Sequence, residues 1–204
     1  MTQPELCCEV ISWRRFAGLA RRVAFKIVDA GYQPDLIVAI ARGGYAPARV
    51  LADYLGVMNV ASIKVEHYHG TRKEEKAFVR HPLAEHVAGR RVLIVDDVSD
   101  TGDTFDVAIP HIREHLPDAE IRTAVLLHKA VCPQVPDFYA RKVVKWRWII
   151  FPWAVVEDLS AFLAAAEPPV HDVAAFARML QEKHKLRPPR QLLADVLALA
   201  PSKR

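Results

Sequence analysis

Residues 92–104, VLIVDDVSDTGDT, carry the strongest structural signal in the chain. The first four residues are apolar and mostly β-branched, which is typical of a strand buried on both faces. Two carboxylates, Asp96 and Asp97, follow at once, and a Thr-Gly-x-Thr turn comes next at 101–104. The stretch therefore predicts a strand at 92–95, an acidic pair at its end, and a glycine turn that opens a helix at 104–116.

Strands and helices alternate on both sides of this stretch. Four further short apolar runs predict strands, at 36–41, 57–65, 121–128 and 141–146. Helical spacing of apolar residues predicts one helix that starts at a Ser12 cap and another that starts at Tyr45. Because alternating strands and helices build parallel sheets with crossover helices, we expect an α/β fold whose central, mainly parallel sheet has about five strands flanked by helices.

The pattern changes after Trp153. Three helices are predicted, at 158–166, 172–185 and 189–199, and proline pairs separate them. The sequence therefore predicts a main domain over 1–156 and a C-terminal extension of three helices over 157–204.

The bulk composition limits the classes of function. The 204 residues carry a net charge of +4 and a pI near 9.0, which suits anionic ligands such as phosphates. Three cysteines fit neither a disulfide framework nor a metal site, so we expect thiols in a reducing cytoplasm. The first thirty residues lack the apolar core of a signal peptide, and the apolar stretch at 148–156 is too short to cross a bilayer, so we expect no membrane partner.

The acidic cluster DDVSD, residues 96–100, also matches two patterns that its context argues against. Prenyl-transferring enzymes present a DDxxD magnesium motif on a helix, but here a β-branched run precedes the cluster and Gly102 closely follows it. Receiver domains of phosphorelays carry an acidic pair near the chain start, with an Asp acceptor on a later strand. In this chain the pair lies mid-chain, and no later strand obviously ends in Asp.

A strand, an acidic pair and a Thr-Gly-x-Thr turn together favour a sugar-phosphate site. Backbone N–H groups over 101–105 converge at a helix N-terminus, where anions are favoured, and Gly102 permits a close approach. The hydroxyls of Thr101 and Thr104 can donate to phosphate oxygens. Ionised Asp96 and Asp97 are acceptors only, so they suit sugar hydroxyls or a magnesium ion.

VLIVDDVSDTGDT resembles the phosphoribosyl-pyrophosphate (PRPP) signature of type I phosphoribosyltransferases, and the resemblance spans roughly residues 10 to 158. It implies the type I phosphoribosyltransferase fold and a PRPP site whose 5′-phosphate is anchored by residues 100–104. It also implies that Asp96 and Asp97 hold the ribose and Mg²⁺, directly or through water, and that Asp100 is the catalytic proton acceptor. The implied PRPP-binding residues are Asp96, Asp97, Asp100, Thr101, Gly102, Asp103 and Thr104.

Two further stretches resemble elements of the same family. IARGGYAPARVLADYLG, residues 40–56, is similar to the pyrophosphate loop, which implies pyrophosphate binding by Ala41, Arg42 and Gly43 and a cis peptide between Ala41 and Arg42. Residues 66–81 are polar and without periodicity, which predicts a long loop. This loop lies where relatives carry a flexible lid, and Tyr68 lies near a functional tyrosine of relatives, here assigned to the pyrophosphate.

LLHKA, residues 126–130, and WRWIIFPW, residues 146–153, resemble the base-recognition elements of purine-using members. The resemblance implies that Lys129 donates to the oxygen at the purine 6-position, that Trp148 stacks on the base, and that the backbone around Ile149 reads its edge. Relatives often carry an acid directly after the Pro-Trp pair, where this chain has Ala154.

The resemblance implies a purine phosphoribosyltransferase that converts a purine and PRPP, with Mg²⁺, to a nucleoside monophosphate and pyrophosphate. Lysine donates and cannot accept, so Lys129 favours hypoxanthine, guanine or xanthine. Adenine stays open, because the three-helix tail resembles an extension of some archaeal relatives, among which adenine specificity occurs. A PRPP-sensing regulator that binds nucleic acid is the less favoured alternative, so we expect no nucleic-acid partner. Dimers are usual in the family, so the resemblance implies a homodimer.

Overall fold

The computed structural model describes residues 6–67 and 77–200. Its elements are, in chain order, β1 (Cys8–Val10), α1 (Trp13–Asp29), β2 (Leu36–Ala41), α2 (Tyr45–Leu55), β3 (Val60–His67), β4 (Ala77–His81), β5 (Arg91–Ser99), α3 (Asp103–His115), β6 (Glu120–Lys129), β7 (Phe138–Val143), β8 (Trp148–Ile150), α4 (Val155–Ala164), α5 (Val173–His184) and α6 (Arg190–Leu199).

The described chain divides into two compact units. The sheet unit comprises Ala17–Trp146, and the terminal unit comprises the described residues within Met1–Phe16 and Arg147–Arg204. The division predicted from the sequence, with a main domain over 1–156 and an extension over 157–204, stays a prediction.

The sheet unit contains a six-stranded sheet in the order β4-β3-β2-β5-β6-β7. All neighbours in it are parallel except β4, which runs antiparallel to β3. The predicted α/β class and mainly parallel sheet are therefore confirmed. The sixth strand, β4, falls inside the predicted loop at 66–81, and β3 extends into the same region to His67. That loop prediction is wrong at both ends, because backbone bonds to β3 hold an edge strand that needs little apolar patterning.

The acidic pair belongs to a strand and does not follow one. β5 continues to Ser99, four residues beyond the predicted end at Val95. Its ladder with β6 continues as well, and Asp96 lies opposite Val125 while Ser99 lies opposite His128. Backbone pairing with β6 holds these polar residues in the strand, so the apolar run alone underestimates its length.

One apolar core cluster of the sheet unit lies between the sheet and α3. Alternate residues of the central strands pack against one apolar face of this helix, which includes Phe105, Ala108 and Ile112. Burial of each large apolar side chain contributes about 1.5–3 kcal/mol relative to exposure. This packing fixes the start of α3, and therefore the glycine turn at 101–104, against the end of β5.

The terminal unit combines a two-stranded parallel sheet with three helices. β1 pairs with β8, with Cys8 opposite Trp148 and Val10 opposite Ile150. Helices α4, α5 and α6 enclose an apolar cluster that includes Phe176 and Leu193, both fully buried. The three predicted C-terminal helices are therefore confirmed. The sequence did not indicate the short strand β1.

Among the residues that the structure describes, no helix is long and apolar enough to cross a membrane.

Candidate active site

The predicted sugar-phosphate residues of the sheet unit gather at one edge of the sheet. β2 and β5 are parallel neighbours, and so are β5 and β6, so their carboxyl ends meet at this edge. Open α/β sheets bind their ligands outside the carboxyl ends of their strands. The ends of β2, β5 and β6 supply Arg42, the segment 96–100 and Lys129, respectively.

The two adjacent carboxylates of β5 form the acidic centre of the edge. The backbone N–H of Asp97 donates to Asp96 Oδ1 at 2.9 Å. Burial, together with the neighbouring Asp97 charge, raises the pKa of Asp96 well above its usual range. A nearby cation would stabilise the ionised form of this carboxyl group and so offset the effect of burial.

These carboxylates suit a magnesium ion that takes its other ligands from elsewhere. Over residues 6–67 and 77–200, no group of three or more His, Cys, Asp or Glu side chains is arranged to hold a metal. Mg²⁺ is usually bound by one or two carboxylates together with water and substrate phosphates, rather than by a protein cage. Asp96 and Asp97 therefore fit the ion that the fold family implies.

The loop after β2 lies directly against the acidic pair. The Ala41–Arg42 peptide is cis, so that prediction is confirmed. The Gly44 N–H donates to the Ile40 carbonyl at 2.8 Å, which turns the chain sharply. A Cβ on Gly43 would lie only 2.5 Å from Asp97 Oδ2, so glycine permits the loop backbone to approach the carboxylate. Arg42 itself is exposed at the mouth of this loop.

The turn after β5 presents the start of a helix. Gly102 is the N-cap of α3, with φ +98°, and because glycine has no side chain it makes no side-chain cap to the first amides of the helix. The Phe105 N–H donates to the Gly102 carbonyl at 2.9 Å, which closes the turn. The Thr101 hydroxyl donates to Asp103 Oδ2 at 2.9 Å. Asp103 therefore holds Thr101 by its side chain, a contact that sequence reasoning missed, and the uncapped amides remain available to an anion.

Asp100 and Lys129 form an ion pair at the ends of β5 and β6. Lys129 is 3% exposed, whereas the Asp100 side chain is 39% exposed. A buried ammonium requires a partner, so the pair accounts for the position of Lys129. The Lys129 Nζ also lies 4.5 Å from the centre of the Trp146 ring, a favourable cation–π distance. Trp146 lies in the stretch 146–153 that resembles the base-recognition elements, but the resemblance gave the stacking role to Trp148, and no contact of Trp146 with Lys129 was predicted.

The remaining predicted residues belong to the terminal unit or lie outside the described residues. Trp148 and Ile149 belong to β8 of the terminal unit, where the Trp148 indole N–H donates to Asp158 Oδ1 at 2.9 Å. Ile149 lies opposite Glu9 in the two-stranded sheet. Their roles toward a base stay predictions. Tyr68 and the middle of the predicted lid, 68–76, lie outside the described residues.

Comparison with known proteins gives one family and several related structures. Residues 9–158 match the family described as phosphoribosyl transferase domain. A purine phosphoribosyltransferase from Pyrococcus horikoshii Ot3 is 35% identical, with a TM-score of 0.62, over 72% of this chain and 93% of that one.

Two further solved structures are more distant in sequence. The xanthine-guanine-hypoxanthine phosphoribosyltransferase of Helicobacter pylori is 20% identical, with a TM-score of 0.63, over 76% of this chain and 99% of its own. A hypothetical protein from Neisseria gonorrhoeae with bound ppGpp is 22% identical, with a TM-score of 0.64, over 88% of this chain and 99% of its own. At these identities the two likenesses establish the fold alone.

Proposed function

The chain belongs to the phosphoribosyl transferase domain family, and from this membership we propose that it is a purine phosphoribosyltransferase that prefers 6-oxopurines. The reaction joins a purine to the ribose carbon of PRPP and releases pyrophosphate. The similarity to the Pyrococcus enzyme supports the purine class. The ion pair between Asp100 and Lys129 is the observation that supports the choice within that class.

The ion pair offers a donor and an acceptor side by side. Lys129 can donate to an oxygen at the purine 6-position, while Asp100 can accept the proton of the neighbouring imidazole nitrogen. Hypoxanthine, guanine and xanthine carry this combination on one edge. Adenine carries an amino group at the 6-position, so two donors would face each other. A site that must leave a buried polar group unpaired rejects the wrong base strongly.

The sugar phosphate would occupy the edge between the two loops. The 5′-phosphate would accept from the amides of 101–104, and Asp96 and Asp97 would accept from the ribose hydroxyls. Arg42 and the backbone at Ala41 and Gly43 would hold the pyrophosphate. Binding energy spent on these remote groups orients the reacting carbon.

The chemistry separates positive charge on the sugar from negative charge on the leaving group. The ribose should pass through an oxocarbenium-like state, which the carboxylates at 96 and 97 stabilise electrostatically. Asp100 takes the proton that the base loses as the new bond forms. When bound by Asp96 and Asp97, Mg²⁺ would neutralise charge on the leaving pyrophosphate.

A base panel tests the proposal most directly. The purified chain is mixed with PRPP, Mg²⁺ and each of hypoxanthine, guanine, xanthine and adenine, and nucleoside monophosphate and pyrophosphate are measured by chromatography. We expect turnover of at least one 6-oxopurine and little turnover of adenine. Adenine as the best substrate would reverse the specificity. Absence of turnover with every base, combined with salt-sensitive binding to nucleic acid, would favour the regulator.

The resemblance also leads us to propose a cytoplasmic homodimer without a nucleic-acid partner. The localisation rests on the sequence alone, in which three cysteines fit no disulfide framework. Analytical ultracentrifugation, with and without PRPP, would measure the oligomeric state.

A further inference from the structure

A second polar contact joins the two strands one residue before Asp100 and Lys129. The Ser99 hydroxyl and His128 Nδ1 are 2.9 Å apart. The two residues are opposite each other in the β5–β6 ladder and are 3% and 1% exposed. Each is therefore covalently adjacent to one member of the ion pair, and the two contacts occupy successive steps between the same strands.

The contact is unusual for its position on β6. The residues of β6 before His128, at 124–127, are apolar and fully buried or nearly so, whereas on β5 the acidic pair and the partly buried Val98 precede Ser99. A buried polar pair contributes little net stability, because desolvation offsets most of the hydrogen bond, and two apolar side chains could fill the same place. The hydrogen bond instead fixes geometry, because it holds the Ser99 hydroxyl and His128 Nδ1 at one distance and orientation.

The surroundings make His128 a rigid part of the sheet. Its ring lies against the ring of Tyr139 on β7, with centroids 5.2 Å apart. Lys26 Nζ lies 4.8 Å from the centre of the Tyr139 ring and donates to the Tyr139 carbonyl at 2.7 Å. Burial and Lys142 lower the pKa of His128, so the ring is neutral near neutral pH and adds no charge beside Lys129.

We propose that Ser99 and His128 are positioning residues that fix the spacing of Asp100 and Lys129, and thereby the fit of the 6-oxopurine edge. The inference rests on the proposed function, which gives Asp100 and Lys129 their roles. A donor and an acceptor must reach two neighbouring atoms of one rigid base, so a shift between the strands misplaces one of them. A displacement of about 1 Å at a reacting group can lower the rate by about 100-fold.

Kinetics of matched variants provide the first test. Ser99→Ala removes the hydroxyl, Ser99→Thr retains it, and His128→Leu removes the partner. We expect Ser99→Ala and His128→Leu to lower kcat/KM for the base by about tenfold or more, with KM for PRPP within about twofold of wild type. Ser99→Thr should recover most of the loss. The double variant should be no worse than the poorer single variant, because the two residues act as a unit.

A control variant separates positioning from general loss of stability. Thr123 lies on β6, the strand of His128, and is 6% exposed. Its hydroxyl donates to Asp137 Oδ2 at 2.8 Å. Thr123→Val removes a buried hydroxyl bond at the far end of β6. We expect Thr123→Val to lower the melting temperature about as much as Ser99→Ala does, while leaving kcat/KM for the base unchanged. Equal losses of kcat/KM in Thr123→Val and Ser99→Ala would overturn the positioning role.

A measurement without substrate keeps this inference distinct from the proposed function. Lys129 is buried and paired, so amine-reactive labelling followed by mass spectrometry should modify it slowly in the wild type. In the Ser99→Ala and His128→Leu variants, Lys129 should be labelled several-fold faster than in the wild type. In Thr123→Val, its labelling rate should be unchanged. If no purine is turned over, the proposed function fails and labelling alone decides the positioning role. Unchanged labelling in Ser99→Ala, or unchanged base kinetics in an active enzyme, would overturn the inference.

Discussion

The backbone of Gly43 lies against the carboxylate of Asp97, so closely that a β-carbon on residue 43 would be 2.5 Å from Asp97 Oδ2. The contact joins the loop after β2 to strand β5, which carries Asp97. We propose that the loop binds the pyrophosphate and that the carboxylates of β5 bind the ribose and Mg²⁺. The close approach of the loop to β5 therefore depends on glycine at position 43 and also at position 44, where a β-carbon would overlap the Val95 carbonyl oxygen.

Gly43→Ala should disrupt this junction. The added methyl group must push the loop or the Asp97 carboxylate aside, since both sides of the contact are held by the ends of strands. We expect kcat/KM for PRPP to fall by about tenfold or more, as expected when a binding loop is misplaced. Steady-state kinetics with PRPP varied at saturating base would measure this.

Gly18→Ala provides the matched control. Gly18 lies in α1, and a β-carbon there would meet no atom within 4 Å. The substitution should leave kinetics unchanged and stabilise the helix by up to about 1 kcal/mol. Wild-type kinetics in Gly43→Ala would show that the loop moves without consequence, contrary to the assigned role.

Asp100→Asn tests the proton acceptor. The amide keeps the size of the carboxylate but cannot take the proton at neutral pH, so kcat should fall by on the order of 10² to 10⁴. Asp103→Asn is the control, because Asp103 accepts from Thr101 and has no assigned proton-transfer role. Its effect should be several-fold at most. Unchanged turnover in Asp100→Asn would remove Asp100 from catalysis.

Lys129→Gln tests base selection. A glutamine amide can present either a donor or an acceptor to the 6-position, so it tolerates both an oxo and an amino group. We expect the preference for hypoxanthine over adenine, as a ratio of kcat/KM values, to fall by about 10- to 100-fold. Lys145→Gln, an exposed lysine after β7, should leave that ratio unchanged. A preserved preference in Lys129→Gln would mean that other groups select the base.

The sequence indicated the local features of this site but not the contacts between its strands. The strand, the acidic pair and the glycine turn are local features, so the apolar run and Gly102 were sufficient to find them. The ion pair between Asp100 and Lys129 depends on which residues of β5 and β6 lie opposite each other, and that register is set by tertiary packing. The contact between Ser99 and His128 could not be predicted for the same reason, because these residues are 29 positions apart in the sequence and become neighbours only in the β5–β6 ladder.

The errors in the fold have a related physical cause. Strand ends and edge strands are held by backbone hydrogen bonds to a neighbour, which leave little trace in the apolar pattern. β5 therefore runs through polar residues to Ser99, and β4 lies in what resembled a polar loop. The helices of the terminal unit were predicted correctly, since each buries an apolar stripe that recurs with the helical period.

His111 should make the fold less stable in mild acid. Its Nε2 accepts from the Leu83 N–H at 3.0 Å, so the bond requires a neutral ring, and burial followed by His115 lowers its pKa. The unfolded chain binds this proton more readily than the folded chain. The contribution of neutral His111 to the free energy of unfolding is therefore complete above the unfolded pKa of about 6.5, and it is lost as the pH falls through the lower pKa of the folded state. Urea unfolding between about pH 8 and 5 should show this decline, and His111→Gln should flatten it. His86→Gln, at an exposed position, should retain the wild-type dependence of the unfolding free energy on pH. An equally steep loss of unfolding free energy in His111→Gln would assign the effect to other groups, such as His128 or His184.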